Sequence, residues 1–285
     1  MPEGPEVKTV ANALKSLINL TLTHYEISDT YKYSSKRFDP NKRQFPGKIP
    51  GSELVKLPMK LMTIGYKGKH IFFVYSDSDN KIWYLESTLG LHGAYSWKEI
   101  KHTKIIFHFV DNTSDTPIET KLYFSDKLSY GNFNFWNFDQ YVKKTNTIGK
   151  DLLSEDVSLE EFVSKIKSYP NKQICVFLMD QSYFSGVGNY LKSEILYRAK
   201  IRPDRLCKNL SEEEISLLHK ETLATIKESY EHGGLSVYTF LSVGGERGEF
   251  NRLVYNRDVD PLGNKVVKMK FLDRGMSHVV MEIQK

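Results

Sequence analysis

Hydrophobic positions repeat with a helical period at the start of the chain and then give way to a strand-like one. Val7, Val10, Ala11, Leu14, Leu17 and Ile18 fall on one face of a helix, which predicts an amphipathic first element. Pro5 suits its first turn, because the N–H it lacks would have no partner there, and Glu6 complements the positive end of the helix dipole. From Thr21 to about Trp136 the apolar and aromatic runs are short: Leu22 to Ile27, His70 to Tyr75, Ile82 to Leu85, Lys104 to Val110 and Lys121 to Phe124. Turn formers separate them, notably Asp77-Ser78-Asp79-Asn80 and Asp111-Asn112-Thr113-Ser114-Asp115. This half therefore predicts an antiparallel sandwich or barrel.

The second half reads helical. Ser158 with Glu161, and Ser211 with Glu214, are each spaced as a capping box that opens an amphipathic helix. A polar stretch at 141–150 predicts the linker between a domain at 1–140 and a helical domain at 151–245. After Gly244-Gly245 the helical pattern ends, and Val254 to Ile283 predicts strands around a Pro261-Leu262-Gly263-Asn264 turn, making 246–285 a separate hairpin region. The length, 285 residues, is about twice that of a usual domain and agrees with this division.

Charged residues make up 26% of the chain and hydrophobic ones 40%, as in a soluble globule. No apolar run is long enough to span a bilayer, and the charged N-terminus is not a signal peptide, so a place in the nucleus or cytoplasm is expected rather than secretion. The only two cysteines, Cys175 and Cys207, have no metal-ligand spacing, and no His-Glu-x-x-His pattern occurs, so neither a metal nor another cofactor is expected. The net charge of +5 is modest, but its distribution is uneven. Basic residues crowd Lys36 to Lys48, Arg198 to Lys208 and Arg252 to Arg274, which together would suit a phosphate backbone, although any one cluster is more commonly a solvated surface.

Two motifs carry candidate chemistry. The chain begins Met1-Pro2-Glu3-Gly4-Pro5-Glu6-Val7. If Met1 is removed, Pro2 becomes a secondary amine; an α-amino group titrates near pH 8, and the helix dipole should lower this further. Such an amine can attack a sugar C1′ and form an iminium. Taken alone, the motif is as readily a simple helix start. The second motif is Gly186-Val187-Gly188-Asn189-Tyr190-Leu191, where two glycines would let backbone N–H groups approach a phosphate at a helix start and Asn189 would add a donor. Alone, it fits a tight turn between helices better.

Together, Met1 to Val7, Gly186 to Arg198 and the basic terminal hairpin resemble the Fpg/Nei family of DNA glycosylases over nearly the whole chain, with wording around Asn189 closest to the vertebrate-type endonuclease VIII-like branch. The resemblance implies an α+β protein: an N-terminal β-sandwich with flanking helices, then a helix-two-turns-helix domain carrying a β-hairpin finger. Pro2 would attack the sugar, Glu3 would handle protons, and Lys69, in Gly68-Lys69-His70 and with Lys67 as the nearby competitor, would clamp a phosphate beside the reacting sugar. Arg274 would grip phosphates from the finger tip, and Glu6, Gly186, Gly188 and Asn189 complete the expected DNA-contacting set.

Two departures from the family matter. No cysteine follows Cys207, so the four zinc-binding thiolates of most relatives are missing, and a zincless finger packed on Val266, Val267, Phe271, Val279, Val280 and Ile283 is expected. The Arg-Arg-Phe-Gly loop of relatives is replaced by Asp126-Lys127-Leu128-Ser129-Tyr130-Gly131, leaving Leu91 and Tyr130 to fill the gap of an extruded base and relaxing selectivity for the opposite base. The implied activity is a monomeric glycosylase and lyase that excises oxidised pyrimidines and hydantoins from double-stranded DNA or cuts at abasic sites by β,δ-elimination. The rival reading is a non-catalytic helix-two-turns-helix DNA-binding protein, which would have no use for Pro2, Glu3 and Lys69 together.

Overall fold

In a computed structural model of the chain, residues 2–28, 48–113, 116–235, 242–272 and 275–285 are described. They form two compact units. The first comprises residues 1–2, 6–146 and 235–248, and the second residues 3–5, 147–234 and 249–285.

The helix α1 (Gly4–Leu14) begins at the Pro-Glu pair and brings Val7, Val10, Ala11 and Leu14 into the first unit's core, each at most 1% exposed. Burial of this kind contributes roughly 1.5–3 kcal/mol per large aliphatic side chain. Eight strands follow: β1 (Thr21–Ile27), β2 (Met59–Lys67), β3 (His70–Ser76), β4 (Ile82–Thr88), β5 (Ala94–Ser96), β6 (Thr103–Asp111), β7 (Ile118–Ser125) and β8 (Asn132–Trp136). They pair as one antiparallel sheet in the order β5-β7-β6-β1-β2-β3-β4-β8.

β1 and β2 share only the pairs Thr21–Lys60 and Leu22–Met59, and the register shifts in both strands just beyond. Bulges bend a strand and increase its twist, so the sheet can turn there. Its far ends then face one another. Phe124 of β7 lies edge-on to Phe133 of β8 with ring centroids 4.8 Å apart, and Phe73 of β3 meets Tyr95 of β5 at 6.1 Å. The outcome is a β-sandwich closed over an aromatic core, the first of the two alternatives left open by the strand pattern.

The first half of the expected linker at 141–150 is helix. Asn137 and Gln140 form a reciprocal capping box that starts α2 (Phe138–Thr145), and Tyr141 of that helix stacks on Tyr84 of β4 at 4.0 Å. The chain passes to the second unit only after Asn146. Leu235 and residues 242–245, expected in the helical domain, belong instead to the first unit: Leu235 donates its N–H to Glu6 at 2.6 Å, and Val243 is buried in the sandwich core.

In the second unit, β9 (Lys150–Asp151) pairs in parallel with β10 (Phe184–Ser185), and four helices follow the capping and turn signals: α3 (Leu159–Lys167), α4 (Ile174–Met179), α5 (Asn189–Arg198) and α6 (Glu212–Glu231). Ser211 and Glu214 make the full capping box. Ser158 makes only its half, because the Glu161 carboxylate binds Lys150 Nζ at 2.6 Å. α5 is buried from Tyr190 to Tyr197, which makes it the central helix of this unit. Its Glu194 accepts N–H bonds from Leu253, Val254 and Tyr255 and so fixes the approach to the terminal hairpin. Burial pushes the Glu194 carboxyl above the usual range, against the pull of those three bonds.

The hairpin, β11 (Val267–Lys270) and β12 (Met276–Val279), is not a separate unit. Tyr197 packs with Val254, Val266 and Val280, with Leu253 and Ile283 alongside. Val279 is also fully buried, whereas Val267 and Phe271 are only half-buried and take a smaller share than expected. Polar ties complete the anchoring: Gln284 Nε2 donates to the Ile201 carbonyl, its Oε1 accepts from Val280 N–H, and Asp260 accepts from Tyr197 OH and Asn264. Among the described residues no helix is long and apolar enough to cross a membrane.

Candidate functional site

In the second unit the segment Glu3–Pro5 lies against the start of α5. Glu3 is 1% exposed, and its carboxylate accepts N–H bonds from Gly188 at 2.5 Å, Tyr190 at 2.9 Å and Leu191 at 3.3 Å. Gly4 N–H donates to the Gly186 carbonyl at 2.9 Å. These are the unpaired amides of a helix N-terminus, where negative charge is favoured. All three bonds are made to a carboxylate acting only as acceptor, so protonating it would forfeit part of this arrangement.

The same geometry corrects the reading of Gly186 and Gly188. They were expected to bring backbone amides close to a phosphate, but the Gly188 N–H is turned inward onto Glu3 and the Gly186 N–H donates to Gln181 Oε1 at 3.1 Å. Glycine is required here for packing: a Cβ on Gly188 would stand 2.3 Å from Glu3 Cδ, and Gly186 adopts φ 112° against Gly4. The sequence offered the right residues with the wrong partner.

Asn189, the first residue of α5, does meet the finger. A Cβ on Gly275 would lie 1.9 Å from Asn189 Oδ1, so the finger turn and the Asn189 carboxamide are in contact. Lys192 Nζ donates to the same Oδ1 at 3.3 Å from a buried position. Arg274, the expected phosphate grip, and its neighbour Asp273 lie outside the described residues, as do Lys36, Arg37, Lys42 and Arg43 of the first basic cluster.

In the first unit Pro2 is buried and directly precedes the α1 start. Glu6, expected to contact DNA, is instead 1% exposed and bonded to Leu235 N–H, so it is an internal anchor. Lys69 stands half-buried at the tip of the β2–β3 hairpin, where Lys67 pairs with His70 and Gly68 supplies the positive φ of 57° that a two-residue turn needs. Leu91 and Tyr130, each 37% exposed, occupy two turns that touch. Gly90, at φ 57°, packs its α-carbon against the Tyr130–Gly131 peptide so closely that a Cβ there would stand 2.5 Å from the Tyr130 carbonyl carbon. Asp126 shapes the second turn by accepting N–H bonds from Leu128 and Gly131.

One polar network in this unit has no counterpart in the sequence pattern. Glu86 of β4, almost fully buried, binds His70 Nδ1 at 2.8 Å, Trp136 Nε1 at 3.0 Å and Lys144 Nζ at 3.3 Å. Burial pushes its pKa up, but these partners outweigh it and bring the carboxyl down to about 2. A lone glutamate in the apolar run Trp83-Tyr84-Leu85 was the available signal.

Sequence profiles of two domains match in order along the chain: the formamidopyrimidine-DNA glycosylase N-terminal domain over residues 1–133 and the formamidopyrimidine-DNA glycosylase H2TH domain over residues 148–240. The chain belongs to the formamidopyrimidine-DNA glycosylase family. A formamidopyrimidine-DNA glycosylase of Cytobacillus firmus is 29% identical over 96% of this chain and 97% of its own length, and one of Listeria monocytogenes is 28% identical over the full length of both. A Lactococcus lactis FPG variant solved with DNA containing Fapy-dG has the same fold, with a TM-score of 0.80 at 22% identity over both complete chains. The two domain matches carry the family assignment, and these bacterial relatives do not select the vertebrate-type endonuclease VIII-like branch expected from the wording around Asn189.

Proposed function

We propose that the chain is a base-excision-repair DNA glycosylase and abasic-site lyase that uses Pro2 as nucleophile. The observation that carries this reading is the fixing of Glu3 by Gly188, Tyr190 and Leu191, because it holds in one position the residue that directly follows Pro2 in the chain. A helix start alone needs no such arrangement, and neither does a DNA-binding module without chemistry.

Once Met1 is removed, the Pro2 nitrogen attacks C1′ and the bond from C1′ to the base breaks, the base leaving as an anion that takes a proton from water. Glu3 takes the proton of the new ammonium and returns it to O4′ as the C1′–O4′ bond opens, which leaves the Pro2 iminium. Loss of a C2′ proton then expels the 3′ phosphate, and a second elimination expels the 5′ phosphate. Water hydrolyses the remaining iminium and frees Pro2 as the secondary amine. Lys69, Asn189 and Arg274 hold backbone phosphates, and Leu91 with Tyr130 enters the stack where the base has left.

Oxidised pyrimidines and hydantoins are the proposed substrates. The missing arginine of the Asp126–Gly131 segment agrees with relaxed recognition of the opposite base, and the absence of cysteine after Cys207 agrees with a zincless finger of the endonuclease VIII-like kind. The test is borohydride trapping on DNA carrying an abasic site or an oxidised pyrimidine, with EDTA present. A covalent adduct mapping to residue 2 and lost in Pro2→Gly is expected. Tight binding without an adduct, with Met1 removal verified by mass, would leave only a DNA-binding module.

A further inference from the structure

The outer face of the sandwich carries a cluster that the proposed reaction does not use. His24 and Glu26 alternate along β1 and so project from one face, and the register sets His108 of β6 opposite His24. One ligand-type atom from each of the three lies within 4.8 Å of the others. The two imidazoles stack with centroids 4.0 Å and planes 15° apart, and Glu26 Oε1 stands 2.8 Å from His108 Nε2. Close as it is, that nitrogen has no aligned hydrogen-bond partner. A carboxylate oxygen beside a ring nitrogen rather than in line with it is how two ligands of one ion are disposed.

Thr23 adds a second observation. Its Oγ1 donates to the His108 carbonyl at 3.1 Å and lies 3.1 Å from His24 Nδ1. A hydroxyl has one hydrogen to give, so toward His24 it acts as acceptor and Nδ1 carries the proton. The neutral ring is thereby held in the tautomer whose Nε2 presents a lone pair, as an outer partner does for metal-binding histidines.

We propose that His24, Glu26 and His108 bind a divalent transition-metal ion such as Zn²⁺ or Cu²⁺ through two imidazoles and one carboxylate, with the remaining positions open to water. Imidazole donors select such ions over Mg²⁺ and Ca²⁺, which take oxygen ligands. Bonds of about 2.0–2.1 Å bring neighbouring ligand atoms to about 3–3.4 Å, a closure that rotation of the exposed His24 and Glu26 side chains supplies. Lys121, paired with His108 across β6 and β7, places a cation on the same face and opposes the ion, so the affinity is moderate. A bound ion ties β1 to β6 and stabilises the folded state by mass action.

The experiment titrates metal-free, full-length protein with Zn²⁺ and with Co²⁺ as a spectroscopic probe, with Mg²⁺ as control. One ion per chain, Co²⁺ bands of nitrogen and oxygen ligation and a rise in Tm with Zn²⁺ but not Mg²⁺ are expected. His24→Ala and Glu26→Gln, both at exposed positions, should keep the metal-free Tm and weaken binding at least tenfold, and His108→Ala should abolish it. Absence of saturable binding, or equal affinity in the His24→Ala and Glu26→Gln variants, would overturn the proposal by sending the ion elsewhere or nowhere.

Discussion

Gly188 gives Glu3 both its amide hydrogen and the space its missing side chain leaves, with 2.3 Å between a Cβ position and the Glu3 carboxyl carbon. Gly188→Ala must therefore displace either the start of α5 or Glu3. Overpacking of a buried contact costs about 1–3 kcal/mol. The variant is expected to melt at a lower temperature yet remain folded at 25 °C, and to lose cleavage of abasic-site DNA out of proportion to its stability. Wild-type cleavage by a folded Gly188→Ala protein would show that the position of Glu3 does not govern the reaction.

Leu91 separates function from stability in the opposite way. At 37% exposure it contributes little packing, so Leu91→Ala should change unfolding free energy by no more than about 0.5 kcal/mol. Excision of a paired, oxidised base should fall at least tenfold, while cleavage at an abasic site, where no base needs to be extruded, should fall less. Equal losses on the two substrates would argue against a role in filling the stack.

Lys69, at the tip of the β2–β3 hairpin, is the lysine proposed to hold a phosphate. Lys69→Ala should weaken DNA binding evenly across sequences and reduce the slope of log affinity against log salt by about one unit. Binding isotherms at several salt concentrations decide it: an unchanged slope would remove Lys69 from the phosphate contacts.

Glu86 supplies a pH test. Its carboxyl is depressed from 4.5 to about 2 in the folded protein. A depressed carboxyl adds stability above its unfolded pKa and loses it as the pH falls through the folded one. The stability difference between wild type and Glu86→Gln is expected to reach on the order of 3 kcal/mol at about pH 5 and to shrink towards zero by about pH 2. Urea unfolding of both proteins across this range measures it, and a difference independent of pH would show that the charge on Glu86 is not what holds His70, Trp136 and Lys144.

Local signals carried most of the fold. α1 was legible because its apolar residues keep one period and Pro5 marks its start, and α6 because Ser211 and Glu214 satisfy one another within four residues. β2 was not, since the bulge between Leu61 and Thr63 breaks the alternation by which a strand is recognised. The candidate site was legible in its residue types and not in their pairing. Glu3 meets Gly188 across 185 positions and Glu6 meets Leu235 across 229, so a carboxylate that looks like a dipole complement or a DNA contact is, in the fold, a partner of distant backbone. Glu86 was missed for the same reason: its partners lie on three other elements.

The terminal hairpin is anchored by valines, Tyr197, Gln284 and Asp260, and the chain's two thiols, on Cys175 and Cys207, are both buried, the latter pushed up to about 11 by that burial. Peroxide attacks thiolates, and a finger built on sulfur would come apart under the same stress that damages bases. This hairpin holds no thiolate for peroxide to attack, which leaves the exposed thioethers of Met276 and Met281 as the oxidisable sulfur at its surface.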